Sequence, residues 1–343
     1  MVRFSVLESW EDPRGGPIDR IRVDNGVLAF EVLSLGAILR SVWAPDRNGE
    51  RSNIVLGCDN AQDYLNQEAY LGAMIGRYSN RIANGRFHSQ GQEHQLDINQ
   101  MGHCLNGGSE GFHRKRWHLG TLSDGVRLSL VSPDGDMGFP GTCNIQLDYR
   151  LAGNNLYVEV MASVDQACPV SLTQHSYFNL DGSIDCADHA LQLDASQYLT
   201  VNDTLIPTDI KPCQDTVFDL KTPQAFKKLL PDQALQPTQG FDLCYLVDDA
   251  DTSVQRVGRL SSANSGRSMT LYTNQPGVHL YSANFLQGVQ GKSKKPLQQH
   301  QGICLEPQQL PDAPNQPHLP GSPWLAPGEV YHHISRYQFD TDA

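Results

Sequence analysis

Positive charge is in short supply. Against 38 acidic residues the chain carries 26 basic ones, a formal net charge of −12. Phosphate backbones and anionic membrane surfaces are therefore repelled on average, and nucleic acid is not an expected partner. The one dense basic patch, His113-Arg114-Lys115-Arg116, runs straight into Trp117 and reads as a solvated turn. Long apolar runs are missing too. The best window, Val27 to Leu39, is too short for a bilayer and contains Glu31, while Glu8, Glu11 and Asp12 break up anything resembling a signal peptide. Neither membrane association nor secretion is expected. The eight cysteines include no Cys-x-x-Cys pair, which argues against a zinc site or a disulfide framework and for reduced thiols in a cytoplasmic protein. Low-complexity tracts and fixed-period repeats are absent, so solenoids and propellers are set aside.

What the chain does have is a period of two. Ile21 to Val23, an Asp24-Asn25-Gly26 turn and Val27 to Val32 make a hairpin signal, and Ala37 to Trp43 continues as a third strand. Ile145 to Leu151 alternates cleanly, turns at Gly153-Asn154-Asn155 and returns as Leu156 to Met161. Further strands read at Ala190 to Leu193, Met269 to Thr273, Val278 to Ser282, Ile303 to Leu305 and Val330 to Phe339. Helical spacing is rare, with short candidates at Ala61 to Tyr70 and Thr222 to Leu230. The expected fold class is all-β, a large β-sandwich of two large sheets with few short helices. No composition shift marks a boundary, and Asp203 to Asp219 and Gly288 to Gln301 read as loops, so residues 1–343 are expected to form a single domain.

Several constellations invite chemistry. Gly107-Gly108-Ser109-Glu110-Gly111 matches a nucleophile elbow, but the basic stretch after it is no helix and there are no βαβ units, so the match reads as chance. His332 and His333 are neighbours on an alternating strand and face opposite sides, and no His-Glu-x-x-His occurs, so no metal is expected. The segments 76–87 and 99–108 crowd arginines, asparagines and an aromatic into short loops, the residue types that bind a neutral polyol. Asp242 sits between apolar neighbours and suits either a turn cap or a ligand contact. Most telling are His175, inside Pro169 to Leu180, and Glu306, at the end of an apolar run: one histidine and one carboxylate, the minimum for moving two protons at once.

Taken together, Gly76 to Phe87, Leu105 to Trp117, Thr173 to Leu180, Gly240-Phe241-Asp242 and Leu305 to Asn315 resemble the ordered motifs of the aldose 1-epimerases, or galactose mutarotases. That resemblance implies the family's supersandwich fold and cofactor-free interconversion of the α and β anomers of a free monosaccharide. It implies roles as well: His175 as the acid toward the ring oxygen, Glu306 as the base on the C1 hydroxyl, and Asn80, Arg81 and Asp242 as sugar-binding groups. The chain departs from the family pattern at Asn106, where a histidine is usual, at His279, where a glutamine is usual, and at Gln174, where an asparagine is usual. Asn106 and His279 fall at sugar-contacting positions, which leaves the sugar open. An acidic, deoxy or phosphorylated sugar, or a non-catalytic sugar-binding module on the same fold, remain alternatives, and either a monomer or a homodimer is compatible. The productive form is expected to pair an ionised Glu306 with a protonated His175.

Overall fold

The computed structural model describes residues 1–342. Alternating side chains build a nine-stranded antiparallel sheet whose centre is the run Gly125–Ser132, Cys143–Ala152, Asn155–Val164 and Tyr331–Thr341. The Gly153-Asn154 turn makes the second and third of these a two-residue hairpin, paired from Ala152↔Asn155 through Cys143↔Val164. Their inward residues (Leu147, Tyr149, Leu151, Leu156, Val158, Val160) are all buried, as the pleat requires of a strand with one face on a core. Five strands at the N-terminal end, from Arg3–Glu11 to Arg51–Asn53, form a second, sequential sheet.

A third sheet, again of five strands, has the order Pro207–Pro212, Gln197–Val201, Asp242–Leu246, Gly277–Tyr281, Cys304–Gln308. A layered β architecture is present as expected, but it has three main sheets rather than two, because the site-bearing strands pair among themselves and never join the large sheet. One apolar core runs from Ile21 to Phe339 and takes residues from all three. Helix is confined to short pieces at Ala61–Leu65 and Phe226–Leu229 and a few single turns, and no helix is long and apolar enough to cross a membrane.

One loop expectation needs correcting, and one strand lies where none was expected. Pro207–Pro212 is an edge strand, not a loop: its prolines stand at its two ends on the outermost strand of the sheet, where a missing N–H costs no ladder bond. Arg3–Glu11 is also a strand, exposed along most of its length, so it shows no alternation to read. The eight cysteines are free and buried.

Arg77, a surface-type residue in sequence, is 2% exposed. Its guanidinium donates to the Ser132 hydroxyl and to the carbonyls of Ser132, Pro133, Pro140 and Gly141. It is the tie that holds the 132–141 loop on the body of the protein, so it is not available to a ligand. Arg77→Met strips several buried carbonyls of their donor and should cost roughly 3 kcal/mol or more, each orphaned group being worth about 1–3 kcal/mol. A urea unfolding midpoint unchanged from wild type would contradict that role.

Candidate active site

The strand Cys304–Gln308 sits at the edge of the third sheet, and its register fixes the site. Glu306 lies directly opposite His279 on the neighbouring strand, and Cys304 opposite Tyr281; Tyr281 in turn faces Asp242 one strand further on. Cross-strand partners share a face, so Glu306, His279 and Asp242 point to the same side.

His175 arrives from elsewhere. The short strand Thr173–Gln174 pairs with Met74–Ile75, the His175 N–H donates to the Ala73 carbonyl, and the Gly72 N–H donates to the His175 carbonyl. Three residues on, Phe178 exchanges backbone hydrogen bonds with Ile303, which lays the histidine segment along the free edge beside Glu306. Nε2 of His175 is 3.6 Å from Oε1 of Glu306, while Nδ1 is 3.7 Å from the Cys304 sulfur. Tyr177 and Tyr70 flank the imidazole, with ring centroids at 5.2 and 5.6 Å.

The two Asn-rich loops close the other wall. Asn80 and Asn106 both take left-handed backbone conformations, which asparagine tolerates better than most residues. They clasp each other, the Asn106 side chain accepting from the Asn80 N–H at 2.8 Å and the Asn106 N–H donating to the Asn80 carbonyl at 3.0 Å. Gly107 follows because a Cβ there would sit 1.9 Å from the Gly76 carbonyl oxygen. Arg81 donates two hydrogen bonds to the Gln100 side-chain oxygen Oε1, 3.1 and 2.8 Å, and makes no ion pair among the described residues. The Pro311-Asp312-Ala313 turn ties in from the Glu306 side, the Asp312 N–H donating to the Arg81 carbonyl.

These walls enclose a cleft of about 580 Å³ lined by Asn80, Arg81, Asn106, His175, Asp242, His279 and Glu306. Every site residue expected from sequence is brought there. Gln174 is not: it lies beneath, its amide donating to the Gly72 carbonyl and its oxygen accepting from the Ser176 N–H, so it holds the histidine segment in shape. Tyr70, Gln100, Tyr177 and Tyr281 also line the cleft and had no sequence signal, since isolated aromatics and glutamines are common everywhere. The Gly-x-Ser-x-Gly match is a turn in which the Ser109 N–H donates to the Asp97 carboxylate; only a two-residue strand, Cys104–Leu105, precedes it and a single tight helical turn, Phe112–Arg114, follows, which is not the buried strand and long helix of an elbow.

Electrostatically the site is dry and mixed. Burial pushes the Glu306 carboxyl well above the usual carboxylate range, with the nearby Asp242 charge adding to the effect. Burial likewise pulls His175 down to about 4. The sequence suggests an ion pair in which each group favours the other's charge; burial in the cleft wall instead opposes both charges. The two arrangements hold the same single proton, so over a broad pH range the pair contains one acid and one base. Burial also makes the imidazolium a stronger acid, and the carboxylate a stronger base, than either is in water. Asp242 stays low: desolvation works against it, but a 2.9 Å hydrogen bond with His279 Nε2 and the charge of Arg81 outweigh that cost. His279 is held on its other side by Asn80, at 3.3 Å from Nδ1.

The aldose 1-epimerase family model matches residues 19–338. The chain belongs to that family. It is 40% identical over 329 residues to galactose mutarotase of Rattus norvegicus, covering 95% of each chain. It is 36% identical over 334 residues to aldose 1-epimerase of Escherichia coli strain K12, covering 95% of this chain and 96% of that one. Among solved structures, an aldose epimerase homologue from C. elegans superposes with a TM-score of 0.87 at 28% identity, covering 99% of this chain and all of the other.

Proposed function

We propose that the protein is an aldose 1-epimerase that opens and recloses the ring of a neutral monosaccharide at the His175–Glu306 pair. The observation that carries this reading is the pair itself: a buried imidazole and carboxyl 3.6 Å apart at the floor of a cleft whose other polar groups are the amide, guanidinium and carboxylate types that bind hydroxyls.

Ring opening breaks the bond between C1 and the ring oxygen. With the shared proton on His175, Glu306 takes the proton of the C1 hydroxyl while His175 delivers its own to the ring oxygen, leaving an open-chain aldehyde. Rotation about the C1–C2 bond presents the other carbonyl face. On closure His175 recovers the proton from the attacking hydroxyl and Glu306 returns one to the new C1 hydroxyl, so the pair ends as it began. No redox change or group transfer occurs, and Asn80, Arg81, Asn106, Asp242 and His279 serve to hold the sugar. We read the chain as a single domain acting in the cytoplasm, the buried free thiols being consistent with a reducing compartment.

A phosphorylated sugar is disfavoured because Arg81 is the one lysine or arginine lining the cleft, Arg77 being spent on the 132–141 loop. The sugar-contacting departures instead redistribute neutral contacts. His279 occupies one lone pair of Asp242 and braces Asn80, leaving fewer free acceptors for hydroxyls. His279→Gln should therefore change the ratio of kcat/KM between two aldoses differing at one hydroxyl by about 10- to 100-fold, the range of one hydrogen bond to a charged group. An unaltered ratio across a sugar panel would remove His279 from specificity. Polarimetry on freshly dissolved α-aldoses tests the activity.

A further inference from the structure

The cysteine behind the catalytic pair has no part in ring opening. Cys304 precedes Glu306 by two residues on one strand, so both side chains lie on the same face. Its sulfur is 3.7 Å from His175 Nδ1, and Glu306 Oε1 is 3.6 Å from Nε2. One ligand atom from each of the three residues can be chosen so that all lie within 4.8 Å of one another. We propose that His175, Cys304 and Glu306 form a binding site for a thiophilic divalent cation such as zinc, and that the bound ion blocks the enzyme.

Tetrahedral zinc, with bonds of about 2.0–2.3 Å to nitrogen, oxygen and sulfur, places its ligands roughly 3.3–3.8 Å apart. The three side chains reach that spacing by closing in by about 1 Å. A sulfur, an imidazole and one carboxylate select zinc, cobalt or cadmium over magnesium or calcium, which seek all-oxygen cages. Three protein ligands leave a fourth position, and His175 and Glu306 place it on the cleft. Binding releases two protons to solvent, one from the Cys304 thiol and the one that His175 and Glu306 share, forms the metal–sulfur bond and involves no redox change. Because the ion ties up the two groups that exchange protons with the sugar, its inhibition competes with aldose. That inhibitory consequence rests on the catalytic reading of the pair; the binding does not.

The test uses the purified full-length protein. Titration with Co²⁺ should produce a thiolate-to-metal charge-transfer band in the near ultraviolet, and calorimetry with Zn²⁺ should show a single saturable site reversed by EDTA. Cys304→Ser should abolish the band, weaken zinc binding by more than about tenfold, the least that losing even an outer-shell partner of a ligand costs, and leave mutarotation resistant to zinc; Cys304→Ala replaces it if the serine variant does not fold. Mg²⁺ at the same concentration should do nothing. A band and a zinc affinity that persist unchanged in the Cys304 variant overturn the site, as does the absence of any saturable binding. Saturable binding with the band, in a protein that never accelerates mutarotation, supports the site and overturns the catalytic reading instead.

Discussion

Glu306→Gln should lower kcat/KM for anomer interconversion by about 10²- to 10⁴-fold, the usual contribution of a positioned general base. The substitution keeps the shape of the side chain and removes only its basicity. Because Glu306 is buried and its carboxyl is pushed up by burial and by Asp242, the amide also relieves the protein of a costly buried ionisable group. The variant should therefore be at least as stable as wild type, separating catalysis from folding in one experiment. If the loss is in kcat with KM little changed, the interaction removed is one made in the transition state. A variant that is inactive because it is unfolded would show a lowered unfolding midpoint, which this reading does not expect.

His175→Asn should cost a similar factor and should also reshape the pH dependence. In the wild type, the working form holds one proton between the two groups. Burial pulls His175 down to about 4; as the pH falls through that value both groups carry protons, no base is left, and kcat/KM drops tenfold per unit. At the other end, Glu306 is raised, so the last proton leaves only when the pH climbs past its elevated value, and then no acid is left. The profile is therefore a plateau across neutrality with an acid limb near 4 and an alkaline limb set by Glu306. Removing the imidazole removes the group that closes the acid side, so the residual rate of His175→Asn should lose the limb near 4 while keeping a dependence on Glu306. Retention of that limb in the variant would assign it to some other group.

Why these two residues were legible in sequence while their neighbours were not has a physical explanation. A polar side chain in an apolar stretch is costly to bury, so His175 and Glu306 stood out against their own surroundings. Tyr70, Tyr177 and Tyr281 did not, because an aromatic residue is at home in any core. Nor could sequence say that His279 lies directly opposite Glu306, since register between strands far apart in the chain is a property of the folded sheet. The same division holds for the fold. Cys143–Ala152 and Asn155–Val164 were readable because one face is buried and the other is not, and a two-residue turn joins them. Arg3–Glu11 was missed because its residues are exposed on both faces, and Pro207–Pro212 because its prolines suit an edge position that sequence alone does not reveal. That sheets pair in three groups rather than two follows from long-range choices no local pattern encodes. The protonation state was misjudged for a related reason: two opposite charges attract, but how much water is withdrawn from around them is known only once the cleft has walls.

The central claim is that this cleft interconverts anomers at His175 and Glu306. The most direct test follows the anomeric protons by NMR, or optical rotation, after fresh α-D-glucose, α-D-galactose and other neutral α-aldoses are dissolved with catalytic amounts of the protein. At least one of these sugars should equilibrate far faster than it does spontaneously, and the acceleration should vanish with Glu306→Gln at equal fold content. Folded wild-type protein that leaves every sugar at its spontaneous rate, or a Glu306→Gln variant that works at full speed, would contradict it.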